Sequence, residues 1–338
     1  MSKITIKTLA KELQLSVSTV SKAMRDSHEI SEETKLRVNE LARKLDYVAN
    51  PYASSLGSKS SKTIGVVIPE VVDSFFALAI NGIESVAQEN GYHVLIYLTH
   101  ESLEKEKNIL MDFESGRVDG VLMSVSRETL DDHTYIDELM LAGIPFVFFD
   151  RVFEDIETTQ ITTNDYESAY QATQHLLGKG CQQIMFLAFS KSLSISSKRL
   201  QGYLDAITAH GLVPDKNNVI SFDEDFNEAY LGLKTRLQAV NRPDGALASV
   251  EKLAIPIYQA CEELNLSIPG NLQVISFSNL ETAAYLNPPL TTVTQPAFEI
   301  GHAAATALMK SLKRKGGVLI KEEIVIPSTF VIRKSTKT

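Results

Sequence analysis

The sequence predicts an all-α head of helix-turn-helix type, followed by an α/β body of two doubly wound parallel-sheet lobes. Three observations carry this. Residues 5–45 hold three short amphipathic helical patterns with a tight break between the first two. From residue 63 the texture changes to β-branched strands alternating with helical patterns. That alternation runs to residue 149 and then restarts, as two successive sheets require.

In the head, Ile6, Leu9, Ala10 and Leu13 form one apolar stripe, and Val17, Val20, Ala23 and Met24 another. Between them Gln14-Leu15-Ser16 is a three-residue break ending in a serine suited to capping the next helix. Helices joined so tightly must cross steeply and share a small core. The outward face of the second is Ser18, Thr19, Ser21 and Lys22, with no carboxylate before Asp26. Small hydroxyls allow close approach to phosphates and base edges, and a lysine reaches guanine O6 and N7. A helix entering the DNA major groove needs that composition, although the turn pattern alone also fits a surface helical hairpin. Ser31-Glu32-Glu33-Thr34 opens a third helix with a cap and an acidic first turn, and Leu36, Val38, Leu41, Ala42 and Leu45 supply its expected apolar face.

Pro51 suits the first turn of one more short helix, and Gly57-Ser58-Lys59-Ser60-Ser61-Lys62 is a polar linker. The linker half-mimics a phosphate-binding loop, but Ser61 stands where that motif needs glycine and no strand precedes it. Thr5-Ile6, Leu9-Ala10, Val17-Ser18-Thr19-Val20-Ser21, Ser31-Glu32-Glu33-Thr34 and Asn50-Pro51-x-Ala53-x-x-Leu56 together resemble the lac repressor/galactose repressor family of bacterial transcription regulators. The resemblance implies a helix-turn-helix DNA-binding domain over 1–49, with Thr5, Ser16, Val17, Ser18, Thr19, Ser21 and Lys22 at the DNA. It implies a hinge helix and linker over 50–62, where Asn50, Ala53 and Leu56 also touch DNA and Leu56 wedges into the minor groove. Residues 63–338 are then a two-lobed effector-binding and dimerisation domain.

In the first lobe, strands are expected at 64–68, 92–98, 120–124 and 145–149, and helices at 75–90, 103–115 and 135–142. The second lobe has strands at 184–187, 219–221, 246–248 and 274–277, and helices at 165–177, 198–210, 229–240 and 254–264. A final segment, with a strand at 292–294, a helix at 299–313 and a strand at 324–326, reads as one more βαβ unit. The body resembles the same family at Ile64-Gly65-Val66-Val67-Ile68-Pro69, Val118-Asp119-Gly120-Val121, Ile144-Pro145, Asp150-Arg151, Arg199-x-x-Gly202-Tyr203 and the run from Asn287 to Pro296. That likeness implies a periplasmic-binding-protein-like body whose last segment crosses back to the first lobe.

Ligands of such sheets bind beyond the carboxyl ends of the strands. By resemblance Asp150 and Arg199 grip an effector, Phe75 forms part of an apolar wall, and Ser249 and Ser278 make shorter contacts. Outside the resemblance, Arg199 reads as a surface ion pair and Asp150 as a cap. Two departures stand out: Ser249-Val250 replaces the family's Asn-Asp, and Ser276-Phe277-Ser278-Asn279 replaces Gly-aromatic-Asp-Asp. Both are expected to remove groups that hold sugar hydroxyls. A carbohydrate or sugar derivative is still the implied small-molecule effector.

The chain has 338 residues, 44% hydrophobic and 22% charged, which suits a soluble protein of two or three domains. Its net charge of −9 divides unevenly: residues 1–62 hold 11 Lys/Arg against 7 Asp/Glu, a surplus of four, leaving −13 on the rest. A basic head on an acidic body orients toward phosphate. Two distant cysteines, Cys181 and Cys261, point to a reducing compartment, and with no apolar leader or span a cytoplasmic location is expected. His100-Glu101 and Asp131-Asp132-His133 lack a third ligand at metal spacing, so neither metal nor cofactor is expected. No nucleophile elbow, complete phosphate loop or zinc-protease motif supports an enzyme, and the head argues against a solute-binding protein. The expected partners are palindromic double-stranded operator DNA, the effector and a second copy of the chain. A tetramer is not expected, since Arg333 to Thr338 carries no leucine heptad.

Overall fold

The computed structural model describes all residues except 1–3, 25, 46, 48–59, 129–132, 191–192, 223–224, 315–320 and 338. Asn50, Ala53 and Leu56 therefore lie outside the described residues. The chain forms two compact units, residues 1–61 and 62–338.

The head is α1 (Ile6–Leu13), α2 (Val17–Met24) and α3 (Glu32–Lys44). Leu9, Ala10, Val20, Ala23, Val38 and Ala42 form its core, and their small size lets three short helices meet closely. Two residues expected in that core face outward instead: Val17 is 42% exposed and Leu36 63%. Lys35 takes the inward position beside Leu36. It is 8% exposed, and its ammonium reaches Asp26 at 2.7 Å and Glu32 at 2.6 Å, so α3 turns its 35–38–42 edge to the core.

In the body, one sheet runs β11 (Glu323–Ile326), β5 (Thr159–Thr163), β4 (Phe146–Phe149), β3 (Gly120–Met123), β1 (Thr63–Ile68), β2 (His93–Leu98), all parallel. The other runs β12 (Thr329–Val331), β10 (Thr291–Thr294), β9 (Gln273–Phe277), β8 (Gly245–Ala248), β6 (Ile184–Ala188), β7 (Val219–Ser221), parallel except for β12. The central strands β1, β3, β4, β6, β8 and β9 are buried along their whole length, as strands covered by helices on both faces must be. The first lobe's helices are α4 (Ser74–Glu89), α5 (Leu103–Phe113) and α6 (Thr134–Leu141). The second has α7 (Asp165–Gly178), α8 (Ser194–Ala209), α9 (Phe226–Gln238) and α10 (Ala254–Glu263).

The terminal segment crosses back to the first lobe, as the family resemblance implies, and so corrects the expectation of one more βαβ unit. It is no single βαβ unit, because β10 joins the second sheet, α11 (Ala297–Leu312) packs on α4 of the first lobe, and β11 joins the first sheet. The chain thus passes between lobes at Asn164, at Gln295-Pro296 and at Pro327-Ser328, and the Ser328 N–H donates to Asn164 Oδ1 at 2.8 Å, tying the first and third passages together. Where α4 meets α11, Gly82 and Gly301 touch backbone to backbone: a Cβ on Gly301 would lie 2.0 Å from the Ala79 carbonyl oxygen, and one on Gly82 2.1 Å from that of Phe298. Among the described residues, no helix is long and apolar enough to cross a membrane.

Candidate functional site

Caps order the exposed residues at the start of α1 and α2 in the head. Thr5 and Thr8 form a reciprocal capping box at the start of α1, which leaves Thr5 exposed. Gln14 takes a left-handed conformation, φ 55°, to end α1, and Ser16 Oγ accepts the Thr19 N–H at 3.0 Å to start α2. Ser16 also shares hydroxyl hydrogen bonds with Ser18 (2.7 Å) and Thr19 (2.8 Å). Ser16, Val17 and Ser18 are exposed, while Thr19, Ser21 and Lys22 are half-buried. The sequence-level view of α2 as free of acid misses one feature. Glu29, beyond the helix, folds back to bond the Lys22 ammonium, and that partner holds its carboxyl below the usual range.

The second constellation lies between the lobes, at the carboxyl ends of strands from both sheets. Asp150 follows β4 in a left-handed conformation, φ 62°, unusual for a residue other than glycine. Its carboxylate is buried with only long contacts, 3.4 Å from Ser124 Oγ and 3.8 Å from Arg151 Nε. Burial pushes its pKa up to about 7, against the partial relief of Arg151 and Arg199. Arg199, 1% exposed on α8, donates through Nε to Asp165 at 2.7 Å and through Nη1 to the Ser249 carbonyl. Its guanidinium lies 4.0 Å from the Phe277 ring centre, and its Nη2 has no partner.

Phe75 and Phe76, at the start of α4, meet edge to face at 5.4 Å and give the apolar wall. Ser278 lines the cleft, its hydroxyl donating to Glu251 at 3.4 Å and accepting the Leu280 N–H at 3.1 Å. Ser249 does not line it. Its Oγ accepts the Phe189 N–H and its carbonyl holds Arg199, so it positions the arginine.

Sequence reasoning missed five polar groups here. Asp73 caps α4 through the Phe75 N–H. Arg151 forms a two-oxygen ion pair with Glu101, both contacts 3.0 Å. Glu251 bridges the lobes, accepting the Ser74 N–H of the first at 2.8 Å and the Asn279 N–H of the second at 3.0 Å. Asn279 Oδ1 and Gln295 Nε2 are buried in the cleft without partners. The departures from the family pattern are therefore refilled: Glu251 stands one residue beyond Ser249-Val250, and Asn279 keeps an amide. Elsewhere, His133 pairs with Asp155 at 2.9 Å, and burial pushes the Cys181 and Cys261 thiols up to about 12 and about 11.

Residues 5–50 match the model of the bacterial regulatory proteins of the lacI family, and residues 173–336 that of a periplasmic binding protein-like domain. The ribose operon repressor of Halalkalibacterium halodurans is 30% identical over 98% of this chain and 97% of its own length. That of Haemophilus influenzae is 28% identical over 98% of both chains. The structure of the lac repressor dimer bound to operator and the anti-inducer ONPF superposes with TM-score 0.85 over the whole of both chains at 22% identity, which establishes the fold. With its DNA-binding helix-turn-helix head and its two-lobed ligand-binding body, the chain belongs to the lacI family of bacterial regulatory proteins.

Proposed function

We propose that this regulator binds a palindromic operator as a cytoplasmic homodimer and that a carbohydrate or sugar derivative between its lobes sets its operator affinity. The observation that carries the effector half is a set of four unpartnered buried polar atoms, Arg151 Nε, Arg199 Nη2, Asn279 Oδ1 and Gln295 Nε2, in one cleft with a phenylalanine wall. Buried polar atoms without partners are costly, so a ligand that satisfies them gains affinity. Phe75, Asp150, Arg199 and Ser278 then contact the effector, and Ser249 acts through Arg199. A metabolite screen by thermal shift, repeated with operator DNA, tests this. The expected hit stabilises the protein and changes its operator affinity, and a hit with no effect on operator affinity rejects the reading.

Lys22 reads a base, with Thr5, Ser16, Val17, Ser18, Thr19 and Ser21 around it. Lys22→Ala is expected to cost about 1–3 kcal/mol on the operator and to relax preference at one base pair per half-site. Glu29 competes with DNA for that lysine. Glu29→Gln is therefore expected to raise affinity for all sequences and to lower the ratio of specific to non-specific binding. Fluorescence anisotropy on operator and scrambled duplexes measures both, and an unchanged ratio removes Glu29 from DNA reading.

Leu56, with Asn50 and Ala53, acts in the hinge at the operator centre. Leu56→Ser is expected to weaken operator binding and bending while sparing effector affinity measured without DNA. Operator affinity and bending at the wild-type level would exclude the hinge mechanism.

A further inference from the structure

We infer that the cleft selects an uncharged or amine-bearing, hydroxyl-rich ligand and refuses phosphorylated or carboxylated versions of it. This rests on the reading of the cleft as the effector site.

Three carboxylates line the cavity, those of Asp73, Asp150 and Glu251, against two guanidiniums, those of Arg151 and Arg199. Both guanidiniums are already neutralised from behind, Arg151 by Glu101 at 3.0 Å and Arg199 by Asp165 at 2.7 Å. Lys252, beside the cleft, stacks on the Phe189 ring at 3.7 Å and lies 4.0 Å from Glu70, which offsets it in turn. Counted with these partners, the carboxyl groups at the cavity outnumber its cations.

The carboxylates are held mainly by backbone groups rather than by cations. Asp73 accepts the Phe75 N–H, Glu251 those of Ser74 and Asn279, and the cation nearest Asp150 is 3.8 Å away. The electrostatics agree. Burial raises the pKa of Asp73, and the Glu251 charge raises it further. For Asp150, burial leads and the charges of Asp165 and Asp73 add to it.

Arg151 Nε, Arg199 Nη2 and Gln295 Nε2 offer donors, while Asn279 Oδ1 and the three carboxylates offer acceptors. A ligand hydroxyl serves both sets, its oxygen accepting from Arg199 or Gln295 and its proton passing to a carboxylate or to Asn279 in a hydrogen bond. An ammonium gains an ion pair. A phosphate or carboxylate would satisfy the donors but would sit in a water-poor space beside Glu251, Asp73 and Asp150, whose ionised forms repel it.

The test titrates the full-length protein, by thermal shift and calorimetry, with unphosphorylated monosaccharides, amino sugars and nucleosides, and with the phosphates and acids of each. The expected binders are uncharged or amine-bearing, and the phosphate or acid of a binder is weaker by at least about 100-fold. In Glu251→Gln, and separately in Asp73→Asn, that gap narrows by about tenfold while the neutral parent changes less. A phosphorylated or carboxylated sugar that binds more tightly than its neutral parent overturns the inference and leaves the effector reading standing. A neutral ligand that binds the cleft without altering operator affinity does the reverse. A panel in which nothing binds counts against both.

Discussion

Gly301→Leu is expected to destabilise the body by about 3 kcal/mol or more, at or beyond the upper end of ordinary overpacking. The reason is what a side chain there would meet. The atoms around a Cβ at Gly301 are the Ala79 carbonyl oxygen at 2.0 Å, its carbon at 2.7 Å and its Cα at 2.9 Å, all backbone, so no rotamer change relieves the clash. The only escape is to part α4 from α11. That opens the layer between them, where Ala79, Ile83, Ile300 and Ala304 are fully buried. Gly82→Leu should behave alike, since a Cβ there would meet the Phe298 carbonyl oxygen at 2.1 Å and the His302 backbone nitrogen at 2.8 Å. Differential scanning calorimetry would register the change as a melting temperature lower by roughly 5–10 °C. A variant that melts with wild type would mean that the two helices do not cross at these glycines.

Arg199→Ala is expected to cost about 3–5 kcal/mol of stability and to abolish the response to effector. Two effects combine. Asp165, 2% exposed, loses its cation and is left as an unpaired buried charge. The cleft loses its free guanidinium N–H and the group stacked on Phe277. Pairing Arg199→Met with Asp165→Asn separates the two. Removing both charges should restore much of the stability, because a buried pair replaced by neutral groups costs less than one broken. The effector response should stay lost. Urea unfolding and ligand-induced thermal shift measure the two properties independently. Recovery of the response in the double variant would make Arg199 a scaffold residue only.

The head helices and most strands of both lobes were legible because periodicity and capping residues act locally. Ser16 and Ser31 announce two of the three helix starts, and runs such as Ile64 to Ile68 or Phe146 to Phe149 announce buried strands. The strands that escaped notice are β5 and β12. Thr159–Thr163 is mostly polar, and Thr329–Val331 is three residues paired antiparallel at a sheet edge, so neither carries an apolar run. The first turn of α8 was hidden by serines at 194, 196 and 197, which read as loop although Ile195 is buried. In the cleft, Asp150 and Arg199 were reachable because they lie within runs that resemble the family. Glu251, Asp73, Asn279 and Gln295 follow strands from two different sheets, and no local pattern relates them. They become one site only when the lobes close around a shared space.

The three passages of the chain between lobes also set an order of manufacture. The second lobe is continuous from Asp165 to Thr294 except for its edge strand β12, whereas the first waits for α11 and β11, made more than 130 residues after β5. On the ribosome the later lobe can therefore close while the earlier one still exposes the edge of β5 and the apolar face of α4 around Gly82. A message cut short near Pro296 would leave that strand edge unpaired and that helix face uncovered, the two surfaces from which chains aggregate. Residues 297–326 thus act as the closure of the first lobe, and their synthesis decides whether the nascent polypeptide becomes a regulator or a substrate for chaperones and proteases.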